Sequence, residues 1–182
     1  MSKSNKFLYS YLNAFAPVAQ EVEGQKIWKD YVTPFVDSMY TDPYGTAYGI
    51  RHGDGKDLHK VVIEAHCDEI AWIITHIESD GYIRVKRHGG SDNMIAPSMT
   101  VMVHNDKGEK VPGVFGWPAI HTRKAAAEKG YEYHELWVDV GVDSKEAVED
   151  LGIYAGNLIT FDDELKEMGD YYVGRSLDNK IG

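Results

Sequence analysis

The sequence predicts an α/β fold whose domain is interrupted by a small inserted β-barrel. Three observations carry that expectation. Amphipathic helical stripes fill the first forty or so residues, an unbroken apolar run follows at Val61-Val62-Ile63, and a series of short strand-like runs separated by glycine turns comes next. Consecutive apolar positions suit a strand buried on both faces, as inside an α/β sheet. Short strands at regular spacing with turn signals between them suit a barrel rather than βαβ units.

The first block, residues 3–41, reads as helical. Phe7, Leu8, Tyr11, Leu12 and Phe15 recur at three- and four-residue steps until Pro17 interrupts them. Val22, Trp28, Tyr31, Val32 and Phe35 make a second stripe, with Thr33-Pro34 kinking or ending the helix. Asp42-Pro43-Tyr44-Gly45-Thr46 is turn chemistry ahead of a short strand at residues 47–51. Residues 52–57 read as a hairpin loop leading into a strong strand at residues 60–65. The second block, about 70–161, carries strand-like runs at 72–77, 82–85, 99–104, 111–115 and 136–140. Asp80-Gly81, Gly89-Gly90 and Asp106-Lys107-Gly108 punctuate them. One helix breaks the series: Asp143 and Glu146 match a D-x-x-E variant of the capping box, Ala147, Val148 and Leu151 give an apolar face, and Gly152 fits the stop. The third block opens on acidic Asp162-Asp163-Glu164 and ends in strand-like Tyr171-Tyr172-Val173. The simplest organisation makes residues 1–69 and 166–182 one domain and residues 70–165 the inserted barrel.

Composition narrows the function classes. At 182 residues and 43% hydrophobic, the chain can bury one core or two small ones. Lys+Arg 19 against Asp+Glu 29 gives a net charge of -10, which argues against a nucleic-acid or anionic-membrane partner. The single cysteine, Cys67, forbids an intrachain disulfide and fits a reducing compartment. Residues 1–6 are polar, and no apolar run of signal-peptide or membrane-span length follows. The expectation is a soluble cytoplasmic protein.

Two segments carry candidate chemistry. His66 and Asp68 lie two apart at the end of the expected strand, so their side chains point to one side and that of Cys67 to the other. A carboxylate can then hold one imidazole nitrogen while the other binds a metal; a strand-end histidine hydrogen-bonded to its neighbour fits the same spacing. Asp178, in Ser176-Leu177-Asp178-Asn179, reads as a ligand or as a turn or helix cap. The remaining seven histidines show no metal-ligand spacing. Asp162, Asp163 and Glu164 admit a paired-carboxylate reading for glycoside hydrolysis, but adjacent exposed acids seldom face one sugar groove.

Taken in order, the motifs resemble the M42 family of metallo-aminopeptidases, relatives of glutamyl and deblocking aminopeptidases that are sometimes labelled endoglucanases. The resemblance spans nearly the whole chain. It runs through Asp42-Pro43-Tyr44-Gly45-Thr46, then Ala65-His66-Cys67-Asp68-Glu69-Ile70, then Arg87-His88-Gly89-Gly90. Gly113-Val114-Phe115-Gly116 with His121, Trp137-Val138-Asp139-Val140-Gly141 and Gly152-Ile153-Tyr154-Ala155-Gly156-Asn157 follow. Gly174-Arg175-Ser176-Leu177-Asp178-Asn179-Lys180-Ile181-Gly182 closes the series. Ala71 stands where the family has glycine, and Lys180 where it usually has arginine.

The resemblance implies an α/β metallopeptidase (phosphorylase/hydrolase-like) domain interrupted by a small barrel used in oligomer contacts. It implies two divalent metal ions, zinc foremost with cobalt or manganese as alternatives. His66 would bind one and Asp178 would bridge both. Asp68, the residue assigned to catalysis, would orient His66, and the Asp178–Asn179 peptide bond would be cis. The implied reaction removes N-terminal residues from peptide substrates. The family's general base, a Glu-Glu pair, and two further ligands lie downstream of the bridging aspartate and are not among these 182 residues. The isolated chain is therefore expected to be inactive, to expose a large apolar patch, and to need the C-terminal half of the peptidase as partner. Homo-oligomers from dimer to dodecamer through the inserted domain are also implied. Two other classes stay open: a non-catalytic assembly module, and a glucanase using carboxylates alone.

Overall fold

The computed structural model describes residues 3–56, 59–123 and 132–182. The chain divides into two compact units, Met1–Glu69 with Glu164–Gly182, and Ile70–Asp163.

In the first unit, α1 (Lys3–Asn13) and α2 (Val22–Val32) form where the stripes predict them, but of the second stripe Trp28, Tyr31 and Val32 are only partly buried, while Val22 and Phe35 are exposed. Tyr11 and Leu12 are buried, and the Phe7 ring stacks on Tyr31 at 3.8 Å and on Tyr11 at 5.3 Å. A 3-10 turn at Thr33–Phe35 with Pro34 in it ends the second helix. The helical reading to residue 41 needs correcting here. β1 (Ser38–Thr41) follows instead and pairs antiparallel with β2 (Ala47–Ile50), Tyr40 stacking on its cross-strand partner Tyr48 at 4.6 Å. Asp42 makes the reversal, its Oδ1 accepting from the backbone N–H groups of Tyr44 (2.9 Å) and Thr46 (3.0 Å). Four residues are too few to display a period in the sequence.

The expected strand at residues 60–65 forms no ladder with any described segment. Val61, Val62 and Ile63 are 84%, 83% and 87% exposed. The apolar run records faces suited to burial, but a strand also needs a hydrogen-bonded neighbour. The preceding loop is described except at Asp57, which lies outside the described residues. After residue 164, β9 (Lys166–Met168), absent from the sequence reading, pairs with β10 (Tyr171–Val173) in an exposed hairpin.

The second unit is a closed antiparallel barrel of β3 (Ala71–Ile77), β4 (Ile83–His88), β5 (Thr100–His104), β6 (Lys110–Gly116), β7 (Trp137–Asp139) and β8 (Leu158–Phe161), in the order β3-β4-β7-β6-β5-β8. Five of these strands were legible as runs; β8, which closes the barrel between β3 and β5, was not. Closure leaves no strand edge to pair elsewhere. A bulge between Ile74 and His76 bends β3. Side chains fill the interior: Trp72, Ile74, Ile83, Val101, Phe115, Val138 and Ile159 are all buried, with the Trp72 and Phe115 rings edge-on at 5.1 Å.

α3 (Lys145–Asp150) seals this core with Val148. Its N-cap is Ser144, whose Oγ accepts from the Ala147 N–H, rather than the Asp143 expected from the D-x-x-E pattern. The serine hydroxyl already reaches the orphan donor one residue later. The stop is as expected. Gly152 takes φ +77, its N–H donates to Glu149 O, and the N–H of Ile153 donates to Val148 O, both side chains of that last pair being buried. Among the described residues no helix is long and apolar enough to cross a membrane.

Truncating Phe115 to Ala should cost the barrel about 3–5 kcal/mol. Denaturant unfolding followed by tryptophan fluorescence measures that cost.

Candidate metal centre

Residues 66–69 and 174–180 come together in the first unit, both resting on the end of α1. Ala16 and Glu69 exchange backbone contact: the Glu69 N–H donates to Ala16 O at 2.8 Å, next to a bridge between Pro17 and Glu69. The chain returns through Leu165, whose N–H donates to Asn13 Oδ1 at 2.8 Å. It then passes Leu165 again at Gly174, where a Cβ would sit 2.8 Å from Leu165 Cα. No side chain fits that crossing.

On this frame His66 stands between two carboxylates. Its Nδ1 lies 3.1 Å from Asp68 Oδ1, and its Nε2 lies 3.3 Å from Asp178 Oδ1. Side-chain exposures of 52% for His66 and 96% for Asp178 leave the face between them open to solvent. Cys67 is half-buried. Burial pushes its thiol above the ordinary value, opposed by a hydrogen bond from Gln25. The Asp178–Asn179 bond is cis, as expected. Asp178 (φ -91, ψ 109) and Asn179 (φ -126, ψ 36) are not helical, so the Leu177–Lys180 turn is no cap for a continuing helix.

The donor chemistry fits a divalent cation. A neutral imidazole carries one N–H. With that proton directed at Asp68, the Nε2 lone pair faces the Asp178 oxygen, an arrangement that calls for a cation or a second proton between them. Two donors each about 2.0–2.2 Å from a tetrahedral zinc lie roughly 3.4 Å apart, close to the 3.3 Å observed. Imidazole nitrogen and carboxylate oxygen suit zinc, cobalt or manganese. Among the described residues no group of three or more His, Cys, Asp or Glu side chains is placed to hold an ion.

The polar frame behind these residues went unnoticed in the sequence. Glu69 is buried, and its carboxylate accepts from the Ala16 N–H (2.9 Å), Arg175 Nε (2.8 Å) and Ser176 Oγ (2.8 Å). Arg175 Nη2 also donates to Asn13 O at 2.7 Å. Lys180 is buried too, its Nζ donating to Tyr11 O (3.3 Å) and Ala14 O (3.1 Å), and desolvation lowers its pKa. An ammonium carries three donors, enough for both carbonyls. The available signal was charge inside both motif segments, at Glu69, Arg175 and Lys180.

Residues 45–182 match the sequence profile of the M42 glutamyl aminopeptidase family. FrvX of Escherichia coli strain K12 is 30% identical over 179 residues, 97% of this chain and 49% of its own length. The structure of aminopeptidase APDkam598 from the archaeon Desulfurococcus kamchatkensis superposes with a TM-score of 0.86 at 32% identity, covering 100% of this chain and 50% of that one. The TET1 peptidase of Pyrococcus horikoshii, which can assemble into a tetrahedron or a large octahedral shell, shares the fold at a TM-score of 0.78 and 23% identity, over 97% of this chain and 52% of its own. The chain thus spans about half the length of these relatives.

The site's neighbours titrate in a defined direction. Burial, with a smaller contribution from Cys67, raises the Tyr11 hydroxyl from 10.0 to about 12. The unfolded phenol ionises near pH 10 and the folded one only near 12, so stability from Tyr11 is intact below 10 and lost as pH rises through 12. Lys180 acts oppositely but only up to 10.5, its ordinary value. Between pH 10.5 and 12 the first unit should therefore lose stability, and Tyr11→Phe should flatten that loss in denaturant titrations across this range. A second expectation concerns Cys67: its thiol should alkylate more slowly than a free small thiol at neutral pH, measured by mass spectrometry.

Proposed function

We propose a function from one premise: the chain belongs to the M42 glutamyl aminopeptidase family. It forms part of a binuclear metal-dependent aminopeptidase that hydrolyses N-terminal residues from peptides. The observation that carries this reading is His66 held between Asp68 and Asp178 at 3.1 Å and 3.3 Å, with an open face toward solvent.

The residues have distinct tasks. His66 Nε2 and the Asp178 carboxylate would hold divalent metal. Asp68 would keep the imidazole proton on Nδ1 and so present the Nε2 lone pair outward. Bound metal would supply Lewis acidity toward the scissile carbonyl and an acidified water. The exposed face admits the end of a peptide, and a carboxylate base must take the water's proton and pass it to the leaving amine. We assign none of the described residues to that task, and the relatives are about twice as long. We assign the base, the remaining ligands and the rest of an α/β peptidase domain to polypeptide outside these residues. By the same reasoning the whole protein forms a homo-oligomer, as the TET1 peptidase does.

Metal content and release of a fluorophore from aminoacyl substrates, measured on the full natural polypeptide, test this reading. Metal-dependent release is expected. Asp178→Asn should reduce kcat/KM on the order of 10³-fold, the several kcal/mol that a metal contributes. Asp68→Asn should weaken metal binding about 10- to 100-fold. A polypeptide that binds no metal and releases nothing would favour a purely assembling role, and cleavage of a glucan insensitive to chelator would favour carboxylate chemistry.

A further inference from the structure

We infer that Glu69 and Arg175 form a buried positioning pair that holds the two ligand-bearing segments in register, and that metal affinity depends on it. The inference rests on the metal-site reading above.

The argument begins with how little holds Asp178 directly. Its side chain is 96% exposed, and among the described residues its carboxylate meets only His66. A ligand with so few contacts takes its position from the backbone on either side. That backbone is anchored by buried groups. Ser176, two residues before Asp178, adopts φ +67, a conformation that non-glycine residues rarely take. Its hydroxyl donates to Glu69 Oε2 at 2.8 Å. Arg175 donates to the same oxygen through Nε, also at 2.8 Å.

Glu69 stands one residue after Asp68 and three after His66. Its other oxygen, Oε1, accepts from the Ala16 N–H, while its own N–H donates to Ala16 O. One carboxylate thus joins the peptide that follows His66 and Asp68 to the peptide that precedes Asp178. Side-chain exposures of 2% for Glu69 and 10% for Arg175 put this pair out of water.

A buried ion pair contributes little net stability, because desolvation offsets its attraction. Breaking one side is costly, however, since the other charge is left unpaired. A role in register explains why charge stands here when a packed apolar contact would hold the fold as well. Ligand positions matter on the scale of tenths of an ångström, so release of one segment should be read out in metal affinity before it is read out in folding.

The experiment measures zinc affinity by competition with a chromophoric chelator, together with kcat and KM, on the full natural polypeptide. Glu69→Gln preserves shape but turns an amide toward Arg175; zinc affinity should fall about 10- to 100-fold, with kcat reduced and KM within about threefold. Ser176→Ala removes one hydrogen bond to Glu69 and should lower affinity about threefold to tenfold. Circular dichroism reports whether each variant is folded. A folded Glu69→Gln protein with wild-type zinc affinity overturns the inference, as does a lowered melting temperature with affinity unchanged. If Glu69→Gln fails to fold, Ser176→Ala decides, and wild-type affinity there overturns it. His66→Ala separates the two levels. If that variant keeps wild-type zinc affinity, the metal-site reading fails and takes this inference with it. If it loses zinc while Glu69→Gln does not, the positioning role alone fails.

Discussion

A carboxylate taken out of water must be given partners, and Glu69 has three. That requirement organises the first unit. The end of α1 lends a backbone N–H from Ala16, and Asn13 and Ala14 lend carbonyls to Arg175 and Lys180. Gly174 must lack a side chain for the chain to pass Leu165 and deliver Arg175 to the carboxylate. Apolar burial alone would be a weak guide to register here. Among the described residues of this unit, the buried apolar side chains are Tyr11, Leu12, Ala14, Ala16, Pro17 and Leu165, only two of them large aliphatics and one an aromatic ring. Polar geometry is directional where hydrophobic contact is not, and the segments carrying His66 and Asp178 are set by the directional kind.

The barrel follows the opposite logic. Its core is nearly all hydrocarbon, built from large side chains of every strand and sealed by Val148 and Ile153. Closure satisfies the backbone, so side chains have only to fill volume. Its buried polar residues are hydrogen-bonded: Thr160 meets His104 Nε2 at 3.0 Å, Ser91 donates to the carbonyl of Ala71 at 2.7 Å, and Asn105 Nδ2 donates to the carbonyl of Leu151 at 2.7 Å. Ala71 itself, in place of the family's glycine, is 1% exposed, so its methyl has been absorbed into packing.

Legibility in the sequence tracks these two logics. The barrel strands announced themselves because β-branched and aromatic residues alternate between glycine turns, and the helix stop at Gly152 because positive φ selects glycine. β8 escaped because Leu158-Ile159-Thr160-Phe161 carries no clean alternation, two neighbouring positions both being buried. β1 escaped because its pairing is made by Asp42, a turn residue, and not by its own pattern. Val61-Val62-Ile63 misled for the converse reason: composition speaks of burial and is silent about the neighbour a ladder needs. At the site, spacing alone put His66 and Asp68 on one side, and the structure finds them 3.1 Å apart. Motif order supplied Asp178. Neither disclosed Glu69, because a buried acid and a solvated one look alike in a sequence until its partner, 106 residues away, is known.

The surroundings of Cys67 bear on which metals the site can favour. A thiolate beside His66 would add a soft ligand and draw the site toward metals that prefer sulfur. Only the deprotonated sulfur ligates, and two features keep it from doing so. Its side chain is hydrogen-bonded by Gln25 of α2. Burial then raises the thiol's pKa, with Glu21 and Asp68 adding to the effect through their charge, so the sulfur stays protonated at neutral pH. What faces solvent is an imidazole nitrogen and carboxylate oxygens alone. Such a set would suit borderline and hard divalent ions rather than those that prefer sulfur. The backbone bond from the Glu69 N–H to Ala16 O, with the Ala16 N–H returning to the Glu69 carboxylate, anchors the segment that carries these donors.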